Sequence, residues 1–336
     1  MISNILPYNN NPINIVPRIS SLPCAIFKSA NYLTLYLNKQ RELEDAVRKI
    51  GLKEYTNCVK NLNLTGSICH QLLLPVNDPF LNVFLDLTEV STNLYLYDKI
   101  SRSAYCLHVS NNFNSLKDSI NFVDSTNAGE RTHITQTHET TFTHNFYKVD
   151  YCFIEITSST VMNPQDYITQ VFKSLVLIIN QLNHGGLFIL KMDYFFYKPV
   201  IELLYILSCM FEKVFITKPL TSNTLTFEKY IICKQFNSKM SSINTDWLST
   251  SDDRYLSSLL STEMPCYFLN RLVEIDVMLG QQLLESLQEI INTVTRDNKI
   301  DFGSSKHIGQ KASTWCSKYK MQGTVLPEKQ NVFLDM

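Results

Sequence analysis

The sequence contains little glycine and no glycine-rich nucleotide-binding fingerprint. Only 9 of the 336 residues are glycine, and no G-x-G-x-x-G follows any of the predicted strands. In dinucleotide-binding enzymes this fingerprint lets the backbone approach the pyrophosphate closely. An α/β dehydrogenase is therefore a weak hypothesis for this chain.

The chain also lacks a charge excess and a long apolar run. Its 30 basic and 31 acidic residues give a formal net charge of −1, so contact with a polyanion requires a local patch. The densest apolar stretch, Leu175 to Leu182, is too short to span a bilayer, and the N-terminus lacks the pattern of a signal peptide. With 45% apolar and 18% charged residues, the chain can bury a sizeable core. We expect an intracellular protein without membrane contact.

Cysteine or histidine groups with metal-binding spacing are absent as well. The nine cysteines occur singly, and several, such as Cys106 and Cys233, lie inside apolar runs. Buried free thiols in a reducing compartment are favoured over a disulfide framework. The spacing of His133, His138 and His144 fits no familiar zinc pattern, so solvated loop histidines are favoured and no metal site is predicted.

Hydrophobic periodicity divides the chain into three parts. Residues 1–75 combine an Asn- and Pro-rich arm, predicted to be extended up to residue 25, with helices. Strand and helix patterns alternate through residues 76–236, which predicts an α/β fold with a doubly wound, mostly parallel sheet between helices. From Ser251 onward the pattern is purely helical, so residues 237–336 are predicted to form a helical extension and tail.

Short apolar runs mark the predicted strands of the sheet. They are Asn82–Leu87, Ala104–Ser110, Ile120–Asp124, Tyr147–Ile156, Leu187–Met192, Lys213–Thr217 and Lys229–Lys234. Helices are predicted at Leu94–Ile100, Gln165–Leu182 and Pro199–Met210, and a polar loop at residues 125–146. Only a loop separates the last two strands, which favours an antiparallel pair over a crossover unit.

A lysine and a glutamate stand at the ends of two of these strands. The turn Gly185-Gly186 precedes the apolar run that leads to Lys191, and Glu228 stands just before the last strand. If the two strands are neighbours, both charges lie at one edge of the sheet, where ligands bind in open α/β folds. Taken alone, such a lysine is more often only a solvating charge at a strand end.

The same region resembles a known family. The segments GGLFILKM (185–192), PVIELLYILSCMFEKVFITKP (199–219) and TSNTLTFEKYIICK (221–234) resemble the second half of an FtsJ-type ribose 2′-O-methyltransferase. The resemblance is closest to the mRNA cap methyltransferases of viruses and eukaryotes. It implies a Rossmann-like methyltransferase sheet, S-adenosylmethionine as cofactor, capped mRNA as partner and a Lys-Asp-Lys-Glu catalytic tetrad.

The resemblance assigns the tetrad residue by residue. Lys191 and Glu228 match its third and fourth members in type and setting. Glu155 stands where the family has aspartate, and His70, in GSICHQLLL, stands where the family has the first lysine. The glutamate is one methylene longer than aspartate, and the histidine supplies less positive charge than lysine near pH 7.

The resemblance also suggests cofactor-binding residues. They are Asp86, Thr88 and Glu89, at and after the predicted strand Asn82–Leu87, and Asp124, where the family often has an acid facing the adenine amino group. Asp124 has the alternative of capping a helix. The family has a turn of small residues at the position of Glu89. The glutamate side chain would obstruct the close approach of the backbone to the cofactor there.

Two functions therefore remain open. The first is an S-adenosylmethionine-dependent 2′-O-methyltransferase of capped mRNA, acting alone or with other capping proteins. The second is a catalytically inactive relative that serves as an RNA-binding or scaffold subunit of a capping or virion complex. The expected location is the cytoplasm, or a virion or viral factory if the protein is viral.

Overall fold

The computed structural model describes the chain in segments. The described residues are 2–9, 13–22, 24, 31–53, 55–56, 59, 63–74, 79–96, 103–109, 118–119, 122, 133–139, 148–156, 164–193, 195–237, 255–295 and 302–321. Within them the strands are β1 (Ile2–Ile5), β2 (Ile15–Ser20), β3 (Ser103–Val109), β4 (His133–Glu139), β5 (Val149–Ile156), β6 (Leu182–Met192), β7 (Phe211–Lys218), β8 (Lys229–Phe236) and β9 (Tyr255–Leu260). The helices are α1 (Asn31–Ile50), α2 (Leu64–Gln71), α3 (Pro79–Leu94), α4 (Pro164–Gln181), α5 (Lys198–Met210), α6 (Cys266–Thr295) and α7 (Phe302–Lys318).

One mixed, mostly parallel sheet forms the centre of the fold. Its strand order is β1-β7-β8-β6-β5-β3-β4. The strands β4, β3, β5 and β6 run parallel to one another, whereas β8 is antiparallel to both of its neighbours, β6 and β7. The predicted α/β class with a Rossmann-like sheet is confirmed, and so is the antiparallel pairing of the last two predicted strands.

Apolar layers cover both faces of this sheet. The helices α4 and α5 are buried along most of their length and pack on one face, together with Phe188 and Leu190 of β6. Leu187 and Ile189 of the same strand enter the opposite layer with α3. Successive side chains of a strand point to opposite faces. A strand that is buried on both sides therefore appears in the sequence as an uninterrupted apolar run.

The predicted first strand, Asn82–Leu87, is wrong because these residues belong to helix α3. This helix is covered on two sides. Its sheet-facing residues are Val83, Leu87 and Val90, and those facing α2 and α7 are Leu81, Phe84 and Leu85. A helix without a polar face loses the amphipathic pattern and resembles a buried strand in sequence. The first parallel strand of the sheet is instead β3.

Other differences concern short or polar strands. Residues 133–139 form β4, which pairs with β3 along its whole length, although a loop is predicted there. The predicted extended arm contributes β1 and β2, and β9 interrupts the C-terminal segment predicted to be purely helical. Pairing with a partner distant in sequence defines these strands, and local apolar periodicity does not reveal such a partner.

Two further predictions fall largely outside the described residues. Phe122 is the described residue of the predicted strand Ile120–Asp124, and it is helical. The predicted helix Leu94–Ile100 is wrong at its start, where α3 ends at Leu94 and a turn follows, and its last four residues lie outside the described residues.

The two flanking segments pack on each other and on the sheet domain. Helix α1 packs against α6, α2 against α7, and β2 pairs with β9. No disulfide joins the described cysteines; Cys69, Cys106, Cys152, Cys233 and Cys316 are buried, as predicted, whereas Cys266 is exposed, and Cys58 lies outside the described residues. Within the described ranges, no helix has the length and hydropathy needed to cross a bilayer.

Candidate active site

Polar side chains form a row across the carboxyl end of the parallel strands. Glu155 on β5 lies directly opposite Lys191 on β6, and Lys191 lies opposite Tyr230 on β8. Directly opposed residues point to the same face of a sheet, here the face covered by α3. Glu228 precedes Tyr230 by two positions, and its carboxylate lies near Lys191. Lys191 and Glu228 thus lie at one edge of neighbouring strands, as expected, while their catalytic role stays a prediction.

The ammonium group of Lys191 is held between two carboxylates. Its Nζ donates to Glu155 Oε1 at 2.9 Å and lies 3.8 Å from Glu228 Oε1. The lysine side chain is 8% exposed and that of Glu155 12%, so water screens their attraction poorly. Burial acts to lower the pKa of Lys191, but the charges of Glu155, Glu228 and Asp86 together raise that pKa above its ordinary value. Lys191 is therefore a cation at neutral pH.

Asp86 approaches the same row from helix α3. Its Oδ1 accepts a hydrogen bond from Thr221 Oγ1 at 2.5 Å, and its Oδ2 accepts one from Tyr230 Oη at 2.9 Å. Burial raises the pKa of Asp86 to about 7, although the charge of Lys191 and these hydrogen bonds oppose the rise. Asp86, predicted to bind cofactor, thus lies beneath the charged row and is joined to it through Tyr230.

The remaining residues predicted to bind cofactor on α3 are engaged with protein groups. Thr88 is fully buried, and its hydroxyl donates to the backbone oxygen of Phe84 within the same helix. The carboxylate of Glu89 accepts hydrogen bonds from the backbone of Leu220 and from the indole of Trp315. Glu89 lies within helix α3 and not in a loop after a strand, so its side chain does not obstruct a cofactor loop at this position. The segment after β3, the true first parallel strand, lies outside the described residues.

Of the two remaining predicted site residues, one lies apart from this cluster and the other lies outside the described residues. His70 is exposed near the end of α2, and among the described residues no hydrogen bond or ion pair links its side chain to Lys191. The assignment of His70 depended on a sequence match within one short helix, and no strand of the sheet fixed its position. Asp124 lies outside the described residues.

Sequence reasoning missed two lysines, Lys218 near the row and Lys229, whose charged neighbours are Asp276, Asp193 and Lys218. Lys218 ends β7; burial lowers its pKa to about 8, against the opposing charges of Glu228, Asp86 and Asp193. Burial likewise lowers the pKa of Lys229 to about 7. The Nζ of Lys229 lies 4.4 Å from the ring centre of Phe195 and donates to the backbone oxygen of Asp193. Both lysines adjoin motif positions, Lys218 before Pro219 and Lys229 after Glu228, and this adjacency is the signal that could have identified them.

The aromatic residues that follow Lys191 pack inside the protein. Phe195 and Phe196 are 3% and 6% exposed, and the ring of Phe196 lies 5.6 Å from that of Phe227 in an edge-to-face arrangement. The structure therefore shows a packing role for these two residues. Among the described side chains, no cluster of His, Cys, Asp or Glu is arranged to hold a metal ion.

Comparison with known proteins finds similarity in the central part of the chain. Residues 93–236 match the family described as FtsJ-like methyltransferase. The chain is 38% identical over 74 residues to cap-specific mRNA (nucleoside-2′-O-)-methyltransferase 2 of Drosophila melanogaster, a match covering 22% of this chain and 11% of the fly protein. It is 36% identical over 58 residues to the mouse (Mus musculus) protein of the same name, covering 17% of this chain and 8% of that protein. The chain therefore spans about a tenth of the length of these curated relatives.

A solved structure is also similar over part of the fold. The chain matches phosphoethanolamine N-methyltransferase 2 of Haemonchus contortus with a TM-score of 0.29 and 13% identity, over 47% of this chain and 39% of that one. At this TM-score the similarity says nothing about the site. The family match covers the strands β3 to β8, and with them Glu155, Lys191 and Glu228. Residues 93–236 of this chain are therefore similar to the FtsJ-like methyltransferase family.

Proposed function

We propose that this chain is an S-adenosylmethionine-dependent RNA methyltransferase that acts on a ribose 2′-hydroxyl of capped mRNA. The observation that carries this proposal is the position of Lys191 between Glu155 and Glu228, inside a segment that matches the family. The partial similarity to cap-specific 2′-O-methyltransferases supports the choice of substrate.

The charge of the cluster is compatible with this cofactor. Glu155, Glu228 and Asp86 surround the ammonium group of Lys191, and Lys218 lies near Glu228 and Asp86, so three carboxyls face two lysine side chains and leave an excess of negative charge when all of them are ionised. Such a surrounding favours a cation, and the sulfonium of S-adenosylmethionine is one. When bound, this cofactor supplies an activated methyl group whose carbon–sulfur bond breaks as the new carbon–oxygen bond forms.

The cluster residues would orient the hydroxyl and stabilise its developing charge. A protonated Lys191 donates a hydrogen bond to the ribose oxygen and stabilises negative charge on it during methyl transfer. Glu155 fixes the ammonium by a direct hydrogen bond, so the group that would donate to the ribose oxygen is held in place. Because Lys191 is already charged, the hydroxyl proton must leave by another group. Glu228, whose side chain is 23% exposed, offers an acceptor open to water.

Methyl transfer to capped RNA tests the proposal directly. Purified protein is incubated with S-adenosylmethionine carrying a labelled methyl group and with capped RNA, and the ribose methylation of the cap-proximal nucleotides is measured. The Lys191→Ala variant is expected to lose about a hundredfold or more in rate. Lys213→Ala is the matched control, because Lys213 is an exposed residue of β7. Undiminished methylation by the Lys191 variant would contradict the assignment of the site.

A second candidate is a non-catalytic RNA-binding or scaffold subunit of a capping or virion complex. The exposed position of His70 favours this candidate. His70 stands where the family has its first catalytic lysine, and it does not contribute to the cluster. Calorimetric titration with S-adenosylmethionine separates the two functions. Tight binding of the cofactor favours the enzyme, whereas absent binding together with retained RNA binding favours the scaffold. We place either function inside the cell, where thiols stay reduced, since the described cysteines form no disulfide with one another.

A further inference from the structure

Glu228 is carried by a loop whose contacts extend well beyond the sheet. This segment, residues 219–228, joins β7 to β8 and is here named the Glu228 loop. Inside it, Asn223 Oδ1 accepts a hydrogen bond from the backbone of Leu225 at 3.0 Å. The Lys218 ammonium donates to the backbone oxygen of Thr226. These contacts shape the loop but do not fix it relative to Lys191.

One side of the Glu228 loop is fixed by a fully buried carboxylate. Oε1 of Glu89 lies 3.0 Å from the backbone nitrogen of Leu220, and Oε2 lies 3.0 Å from Nε1 of Trp315 on α7. The hydroxyl of Thr221 lies 3.5 Å from the same Oε2. A buried carboxylate is costly unless several donors satisfy it. Glu89 therefore joins α3, α7 and the start of the loop at one point.

The other side of the loop is fixed by apolar contacts with the flanking helices. Phe227, next to Glu228, lies 4.7 Å from the ring of Tyr36 on α1 and packs in a cluster that includes Leu283 and Leu287 of α6. Leu225 belongs to the same cluster. Helices from both ends of the chain thus contact the segment that carries Glu228.

We propose that Glu89, through Leu220 and Trp315, is a positioning residue that holds Glu228 against Lys191. This inference rests on the proposed methyltransferase function for its effect on rate. It assigns a role to the C-terminal helix α7, whose Trp315 supplies one of the donors to Glu89. Loss of the Glu89 contacts would let the loop shift, and a displacement of about 1 Å at a reacting group can cost about a hundredfold in rate.

Two substitutions weaken this connection in different ways. Glu89→Gln removes the charge and one acceptor, whereas Trp315→Phe removes the indole donor and leaves a smaller aromatic ring beside Tyr319. If the Gln variant fails to fold, the Phe variant still tests the proposal. Gln71→Ala is the control. It removes hydrogen bonds between α2 and α7, to Gly309 and Ser313, without touching the loop.

The effect of each substitution on kcat is measured in the wild-type protein and again in a Glu228→Gln background. We expect the Glu89 and Trp315 variants to lower kcat about tenfold with a smaller change in KM, and Gln71→Ala to leave kcat unchanged. In the Glu228→Gln background the same substitutions should change kcat less than about twofold, because their effect passes through Glu228. Equal losses in both backgrounds would indicate a merely structural role and would overturn the proposal.

Amide hydrogen exchange provides a second readout that needs no activity. The Leu220 amide donates to Glu89, so Glu89→Gln should raise exchange in residues 219–228 about tenfold or more, with little change in β6. If the wild-type protein transfers no methyl group, the proposed function fails and the exchange result alone decides the inference. Unchanged exchange in this loop for both variants would overturn it.

Discussion

Lys191 and Glu155 lie directly opposite each other on two parallel strands, and 2.9 Å separates the ammonium nitrogen from the carboxylate oxygen. The sheet register alone brings the two residues together, so the pair does not depend on a loop conformation. With both side chains largely buried, each member needs the other, because an unpaired charge at this position would be costly.

The length of Glu155 is the first point to test. Aspartate would shorten the side chain by one methylene and move its carboxylate out of hydrogen-bond range of Lys191. We therefore expect Glu155→Asp to lower kcat by roughly tenfold to a hundredfold in the capped-RNA assay. Glu155→Gln keeps the side-chain length and removes the charge. Comparison of the two variants therefore separates the effect of side-chain length from the effect of charge. An aspartate variant as active as wild type would show that the lysine is positioned by other contacts.

The buried carboxyl of Asp86 should make stability depend on pH. Its pKa is raised from 3.8 to about 7 in the folded protein, so between these values the folded state holds a proton that the unfolded state has released. The contribution of Asp86 to the free energy of unfolding is therefore fully present below about pH 4, and it is lost as the pH rises through about 7. Thermal unfolding of Asp86→Asn should therefore lack this fall between pH 4 and 8. The control is Asp166→Asn, on an exposed residue of α4, which should keep the wild-type profile.

Tyr230 connects Asp86 to the charged row. Removal of its hydroxyl in Tyr230→Phe leaves a buried carboxyl oxygen without this donor, since the ring is fully buried and its oxygen lies 2.9 Å from Asp86 Oδ2. We expect a loss of about 1–3 kcal/mol in the free energy of unfolding, measured by urea denaturation. The same change at Tyr105, which is 57% exposed, should cost less than about 0.5 kcal/mol. Equal effects at the two positions would contradict this account of Asp86.

The glycine turn in β6 provides a test of backbone packing. A Cβ at Gly186 would lie 2.8 Å from the backbone oxygen of Asn183 and from the side chain of Leu182, so Gly186→Ala should destabilise the protein. A Cβ at Gly309 on α7 meets nothing within 4 Å, so Gly309→Ala should stabilise it by about 0.5–1 kcal/mol through helix propensity. Melting temperatures of the two variants should therefore move in opposite directions from wild type.

The sequence predicts the parts of the fold in which local pattern and burial agree. The run that ends with Lys191 is apolar because both faces of β6 are covered, and its charged end marks the site. The same reasoning fails at Asn82–Leu87, where a helix covered on two sides has the same appearance. No local pattern indicates the role of Glu89, because its partners Leu220 and Trp315 are 131 and 226 positions away. Contacts at such separations are set by tertiary packing alone.

The pairing of β2 with β9 has a consequence for how the protein is made. Ile15 of β2 pairs with Leu260 of β9, so the N-terminal strand must wait for its partner to leave the ribosome. Trp315 emerges later still, and only then can Glu89 receive its indole hydrogen bond. We expect nascent chains that end shortly after residue 236 to hold the central strands but to lack an ordered Glu228 loop. The Glu228 loop would then become ordered only after helix α7 has left the ribosome.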